Sequence, residues 1–252
     1  QMFSFPLFRF PISCLLIVSE EKNTLYLSEN LMLLDLQLFE YLQSLLTDRR
    51  RQLFSNVLSQ RTRHFTVVTE DVYQLHNTSA VMRTCDVFGI QDLHVVEERL
   101  GKRIDREIAM GAQKWVSLHR YNGIKECMKT LRENGYQIIA TTPHNDATLL
   151  HDFDVAKKSA FFFGKESDGL SDTVLQQADG FLKIPMYGFT ESLNISVSAA
   201  IILQEVVTRM RIENVDWALS EAEKLEIEME WTQRTIKSSQ EIIERFYNDK
   251  KS

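Results

Sequence analysis

The chain has 252 residues, 44% hydrophobic and 25% charged, which suits one substantial domain with terminal additions or two small domains and excludes a wholly disordered or fibrous polymer. A formal net charge of −6 excludes a molecule that grips a polyanion over its whole surface, so any nucleic-acid contact must be a local patch. Cys14, Cys85 and Cys127 show neither disulfide-like nor metal-ligand spacing, and the dispersed histidines form no His-Glu-x-x-His run; a reducing cytosol without a metal site fits.

Residues 2–18 are apolar but interrupted by Pro6, Arg9 and Pro11, too short and too broken for a membrane span. They also lack the charged start, clean apolar core and small-residue cleavage site of a signal peptide. Residues 1–31 therefore read as an extension outside the fold, from a start codon placed too early, with Met32 as candidate initiator. Residues 32–63 read as a helical extension, with Leu36, Phe39, Leu42, Leu45 and Leu46, then Leu53, Phe54 and Leu58, at helical spacing. Arg49, Arg50, Arg51, Arg61 and Arg63 lie within and after it; such a run is either a solvated helix face or a binding patch.

From residue 64 to 213 short apolar runs alternate with helical patterns. The strand candidates are Phe65–Val68, Leu93–Val96, Trp115–Leu118, Gln137–Thr141, Ala160–Phe163 and Phe181–Ile184. Between them lie helical stretches near Thr78–Phe88, Ile104–Ala112, Gly123–Glu133 and Asp172–Ala178, with a longer one over Ile195–Arg211. This alternation predicts an α/β fold with a mainly parallel sheet covered by helices on both faces. Residues 214–252, rich in Glu, Lys, Ala and Leu, read as two terminal helices hinged near Trp231.

Three segments carry polar residues and glycines that a plain fold does not require. The first runs from Asn77 to Cys85, where Asn77 is a candidate helix cap and Arg83 follows nearly two turns later on roughly the same side. The second, Gly164-Lys165-Glu166-Ser167-Asp168-Gly169-Leu170, follows an apolar strand, and its flanking glycines permit sharp turns at a place where α/β sheets bind ligands. In the third, Ile184-Pro185-Met186-Tyr187-Gly188 leads to Ser192, Asn194 and Ser196 at a helix start. One cap suffices there, so three polar side chains suggest a bound polar group or a packed interface. Taken singly, the first segment is better explained as a capped helix with a surface arginine, and the second as an ordinary strand-to-helix turn.

The ordered set is more specific than its parts. Asn-x-x-Ala-x-x-Arg, then Gly-x-Glu-x-x-Gly-Leu, then Pro-Met-x-Gly-x-x-x-Ser-Leu-Asn-x-Ser resembles the three motifs of the SpoU/TrmH-type RNA 2′-O-ribose methyltransferases of the SPOUT superfamily. The likeness spans about residues 64–211, and the flanking helices most resemble the tRNA guanosine 2′-O-methyltransferase branch. The resemblance implies a soluble, cytoplasmic homodimer with a C-terminal deep trefoil knot. Its methyl donor would be S-adenosyl-L-methionine and its substrate RNA, most of all a D-loop guanosine of tRNA (position 18 in the tRNA convention). It further implies that Thr141, Gly164, Glu166, Ile184, Met186, Gly188 and Leu193 hold the donor, largely through backbone groups. Arg83, with Asn77, Glu166, Asn194 and Ser196 around it, would form the catalytic set. The apolar helix segment Ala199–Val207 fits either a dimer face or ordinary core.

Arginine is an unusual base, because a guanidinium keeps its proton up to a pKa above about 12. The resemblance implies that a substrate phosphate positions and activates Arg83; the conservative reading is that Arg83 only orients the phosphate and the hydroxyl. If the substrate is RNA, the five arginines become its candidate contacts. Ribosomal RNA is the alternative substrate, and a binding protein of the same fold without chemistry is the alternative class. A nucleotide-dependent oxidoreductase is disfavoured, since none of the nine glycines forms Gly-x-Gly.

Overall fold

The computed structural model describes residues 36–72, 75–97, 111–143, 147–165 and 168–249. The expectations for residues 1–31, for Glu166 and for most of the Ile104–Ala112 helix lie outside the described residues. Two compact units emerge: Ser59–Leu219, and the described residues up to Leu58 together with those from Ser220 onward.

The Ser59–Leu219 unit is built on a seven-stranded sheet: β1 (Phe65–Glu70), β2 (Asp92–Val96), β3 (Ser117–Tyr121), β4 (Gln137–Thr141), β5 (Thr148–Leu149), β6 (Ser159–Phe163) and β7 (Gly180–Lys183). The order is β3-β2-β1-β6-β4-β7-β5 and every pairing is parallel. A parallel sheet must bury both faces, which is why β1, β2 and β6 are buried along their whole length.

Alternation along the strands divides the core in two. One layer takes Val67, Val95, Phe161 and Phe163 and is covered by α3 (Leu75–Val87) and α6 (Ile195–Ile212). The other takes Val68, Val96, Ile138 and Phe162 and is covered by α4 (Ile124–Glu133) and α5 (Asp172–Gln177). Side chains two apart share a face, so a single apolar run serves both layers.

The second unit is helical. It contains α1 (residues 36–44), α2 (Asp48–Leu58), α7 (Glu221–Thr235) and α8 (Ser239–Asp249). Phe54 meets Trp231 edge-on at 5.5 Å, Tyr41 stacks on Phe246 at 5.3 Å, and the buried Gln43 amide donates to Thr232 at 2.9 Å. A capping box of Ser220 and Glu223 opens α7.

Two expectations are corrected and one strand is added. Trp115 and Val116 are not strand: Trp115 closes a 3₁₀ turn through its N–H to Ala112, and β3 starts only at Ser117. The terminal helices do not hinge near Trp231, which is buried in the middle of α7; the break follows Thr235, with Ser238 in the left-handed region at φ 56. The two-residue strand β5 carries too short a pattern to be read from sequence.

Candidate active site at the strand ends

In a parallel sheet the carboxyl ends of neighbouring strands open at one edge, where the following loops converge. Here β1, β6, β4 and β7 are consecutive neighbours, with Thr69 opposite Phe163 and Thr141 opposite Leu182. The chain after β1 leads into α3 with Asn77 and Arg83, β6 leads into Gly164, β4 ends in Thr141, and β7 runs into Ile184 and the approach to α6. All three sequence segments therefore open on the same edge.

Asn194 is the N-cap of α6: its side-chain oxygen accepts from the Ser196 backbone N–H at 2.9 Å and from the Ser196 hydroxyl at 2.6 Å. Its amide also donates to the Asn77 side-chain oxygen at 3.2 Å. One bond thus ties the first motif to the third across 117 positions.

The role expected for Asn77 changes. It is the third residue of α3 rather than its cap, and it is buried against Asn194. Nor does it share a side with Arg83: six residues at about 100° each leave them about 120° apart. Asn77 is buried, whereas Arg83 is exposed and has no hydrogen-bond or ion-pair partner among the described residues. Val81, Met82 and Cys85 fix α3 to the core, so the backbone beneath this cation is rigid.

The second segment is closed by its own backbone, Lys165 N–H donating to Gly169 O at 2.9 Å and Gly169 N–H returning to Lys165 O at 3.0 Å. A Cβ at Gly164 would fall 2.2 Å from the Gly169 backbone, so only glycine fits there. On the β4 side, the Thr141 hydroxyl donates to Phe162 O at 2.7 Å and pins the strand end.

The third segment behaves differently. Among the described residues, residues 185–193 make no backbone–backbone hydrogen bond, and Tyr187 and Phe189 are almost fully exposed. A chain that leaves this many peptide groups unpaired at a strand-end opening can offer them to a ligand.

Sequence reasoning missed Glu70, Asp71 and Lys165. Glu70 and Asp71 are buried at the end of β1; Glu70 accepts from the Ser171 N–H at 2.8 Å and Asp71 pairs with Lys165 at 3.7 Å. The signal for them was two adjacent acids directly after an apolar strand.

The arginine cluster is only partly open to a ligand. Arg61 is buried, paired with Asp86 and donating to Ile90 O, so a phosphate could reach it only by breaking that pair. Arg63 donates through Nε to Asp92 at 3.0 Å. In the helical unit, Arg51 pairs with Asp48 and donates to Gln43 O, while the Arg49 and Arg50 side chains have no partner among the described residues. The Ala199–Val207 segment resolves as core: Ala199, Ile202, Leu203, Val206 and Val207 pack under the sheet. The exposed apolar row on this side is instead Leu193, Val197 and Ile201.

The sequence profile of the SpoU rRNA methylase family matches residues 64–204, more than half of the chain. The chain belongs to the SpoU methylase family. Among its SpoU relatives, a tRNA (guanosine(18)-2′-O)-methyltransferase of Borreliella burgdorferi is 36% identical over 207 residues, covering 82% of this chain and 94% of the relative. The corresponding Thermus thermophilus enzyme is 40% identical over 159 residues, 63% of this chain and 82% of that one. Among solved SpoU structures, the Aquifex aeolicus TrmH/SpoU tRNA modifying enzyme aligns with a TM-score of 0.69 at 30% identity, over 75% of this chain and 98% of that chain. The SpoU methyltransferase AviRb from Streptomyces viridochromogenes, solved with AdoMet, aligns with a TM-score of 0.55 at 25% identity, over 63% of this chain and 65% of that chain.

Proposed function

We propose that this chain methylates the ribose 2′-hydroxyl of a D-loop guanosine of tRNA, at position 18 of the tRNA convention, with S-adenosyl-L-methionine as donor. The observation that carries the proposal is the Asn77–Asn194 bond, which brings the Arg83 helix to the end of the 185–193 segment, whose residues make no backbone–backbone hydrogen bond among the described residues, at the carboxyl ends of adjacent strands. The names of its relatives support the same reading, and they favour tRNA over the ribosomal alternative and an enzyme over a binding-only protein.

The residues fit the donor. Thr141, Gly164 and Ile184 end or follow three neighbouring strands, and the peptide groups from Met186 through Gly188 to Leu193 are open to a polar ligand. Bound there, S-adenosyl-L-methionine supplies a methyl group activated by a sulfonium. Arg83, exposed on a rigid helix, binds a phosphate of the substrate and brings the 2′-oxygen into line for attack. Asn77, Asn194 and Ser196 hold the wall opposite through their shared hydrogen bonds. Glu166, from the second motif, completes the set in this proposal.

The active form is a homodimer joined through Leu193, just before α6, and Val197 and Ile201 on its first two turns, because exposed apolar side chains this close together favour burial against a partner. In this proposal the C-terminal part is knotted, and the placement of β6 between β1 and β4, with β7 on the far side of β4, is compatible with a threaded chain. Arg49, Arg50 and Arg51 of α2 also contact the RNA in this proposal. No helix among the described residues is long and apolar enough to cross a membrane. The test is transfer of tritiated methyl groups to total RNA, followed by mapping of the product. Label in a single 2′-O-methylguanosine of tRNA is expected; label confined to ribosomal RNA, or none, refutes the proposal.

A further inference from the structure

The two acids that end β1 have no packing reason to be acids. Strand position 70 and the next residue are both buried, where apolar side chains would satisfy the core and a charge must be matched. Asp71 also takes a left-handed backbone, φ 47, which an L-residue adopts at a cost of about 1 kcal/mol or more. Its N–H still donates to Val96 O at 2.9 Å, so this turn is anchored to the neighbouring strand.

The two acids contact different ends of the same segment. Asp71 pairs with Lys165 at 3.7 Å, where both side chains are more than nine-tenths buried. Glu70 accepts from the Ser171 N–H at 2.8 Å, and Ser171 is the N-cap of α5. Lys165 and Ser171 bracket the turn that is closed by the paired Lys165–Gly169 backbone bonds. On the other side of the acids, α3 begins only four residues after Asp71 and carries Asn77 and Arg83.

We infer that Glu70 and Asp71 are positioning residues: together they fix both described ends of the Gly164–Ser171 turn to the strand that leads into the Arg83 helix. The turn belongs to the donor site and the helix to the substrate site, so the pair of contacts sets the spacing between the two reacting partners. This inference rests on the methyltransferase reading above, but its contacts are properties of this chain alone. A displacement of the order of 1 Å between donor and acceptor is enough to lower a rate about a hundredfold.

The experiment uses the full chain and four variants: Glu70→Ala, Glu70→Gln, Asp71→Asn, and the double variant Asp71→Asn with Lys165→Met. Glu70→Gln keeps an oxygen that accepts from Ser171, and the double variant removes both charges without leaving one buried alone. For each, donor affinity is measured by calorimetry without RNA, and kcat and KM for tRNA by methyl transfer. Hydrogen exchange is followed at the Gly169 and Ser171 amides. The expected result for Glu70→Ala and for the double variant is a donor Kd raised and a kcat lowered by about tenfold each, with KM for tRNA within about twofold. Exchange at both amides should accelerate about tenfold, and Glu70→Gln should stay within about threefold of wild type in every readout. Asp71→Asn, which leaves Lys165 buried opposite a neutral side chain, should lie between. Variants that melt earlier yet keep wild-type Kd, kcat and exchange well below their melting temperature would overturn the inference. If the wild type binds no donor, the methyltransferase reading fails instead. The exchange rates then still decide whether the two acids hold the turn.

Discussion

Two regions of the same sheet bury polar side chains, and they differ in whether those groups are used up. At the β2–β3 flank the charged network closes on itself, although the buried Gln91 Oε1 beside it has no hydrogen-bond partner among the described residues. Asp92 takes Arg63 Nε at 3.0 Å and His119 Nε2 at 2.8 Å, and its backbone oxygen accepts from the Thr66 hydroxyl. His94 stacks on His119 at 4.6 Å and shares a hydrogen bond with the Tyr121 hydroxyl. At the β1–β6–β4–β7 ends the network is open: Arg83 is exposed, residues 185–193 leave their peptide groups unpaired among themselves, and the buried Thr69 hydroxyl has no hydrogen-bond partner among the described residues. A closed polar network spends its hydrogen bonds on the fold. An open one leaves them for a ligand.

Mutations should therefore separate the two regions cleanly. The largest effect expected is on stability: Asp92→Ala removes the acceptor that Arg63 and His119 share, at a cost of about 3–5 kcal/mol, since breaking a mostly buried pair strands the partner. Denaturant unfolding measures it, and turnover of the folded fraction should stay within about twofold. The converse is Arg83→Ala, which should reduce methyl transfer to less than about a tenth, a barrier increase above ~1.4 kcal/mol. Its melting temperature and donor affinity should hardly change. A variant keeping more than that activity would remove Arg83 from the mechanism.

The pH dependence sharpens the contrast. Burial, with the charge of His119 nearby, lowers the His94 pKa from 6.5 to about 3. Burial would raise the Asp92 carboxyl, but the His119 hydrogen bond and the Arg63 charge outweigh it and hold it at about 2. In the unfolded chain His94 takes a proton below about pH 6.5, whereas the folded protein refuses it until about pH 3. Stability should thus be full above pH 6.5 and fall as pH drops toward 3, with Asp92 adding a loss between 3.8 and 2. Melting temperatures across this range check it, and His94→Gln should flatten the upper part of the curve. An unchanged profile in that variant would show that the flank is not the titrating network.

The smallest effect concerns the helical unit. Replacing Arg49, Arg50 and Arg51 by glutamine should weaken tRNA binding and reduce the log–log salt slope by roughly 0.7–0.9 for each phosphate that is no longer held. Donor affinity should not move. Filter binding at several salt concentrations decides, and identical slopes would shift attention to Lys224, Arg234 and Lys237. Lys224 and Arg234 each already pair with a glutamate.

Much of the architecture was legible because buried strands are apolar runs: Gln137–Thr141 emerges with the boundaries expected, and β1, β2, β6 and β7 within two residues. Trp115 and Val116 look equally apolar, yet they cap and follow a 3₁₀ turn, since an apolar pair does not distinguish a turn end that faces the core from a strand. In the site, the order of the three motifs was legible, and so was Asn194 at the start of α6. What was hidden is what acts through space. The bonds from Asn194 to Asn77 and from Ser171 to Glu70 join positions more than a hundred residues apart. Periodicity along one chain holds no trace of such pairs. The burial of Arg61 was hidden for the same reason: its partner Asp86 sits on α3, 25 positions away.

The most direct test of the account uses one tRNA prepared in two forms, identical except that guanosine 18 carries either its 2′-hydroxyl or a 2′-deoxyribose. Both are incubated with the full chain and S-adenosyl-L-methionine labelled in its methyl group. The account predicts stoichiometric label in the ribose form and none in the deoxy form, with both binding equally within about twofold, because phosphate contacts and not the hydroxyl carry affinity. Label in the deoxy form at the wild-type rate would contradict it, since the methyl group would then be going to a base or to another nucleotide.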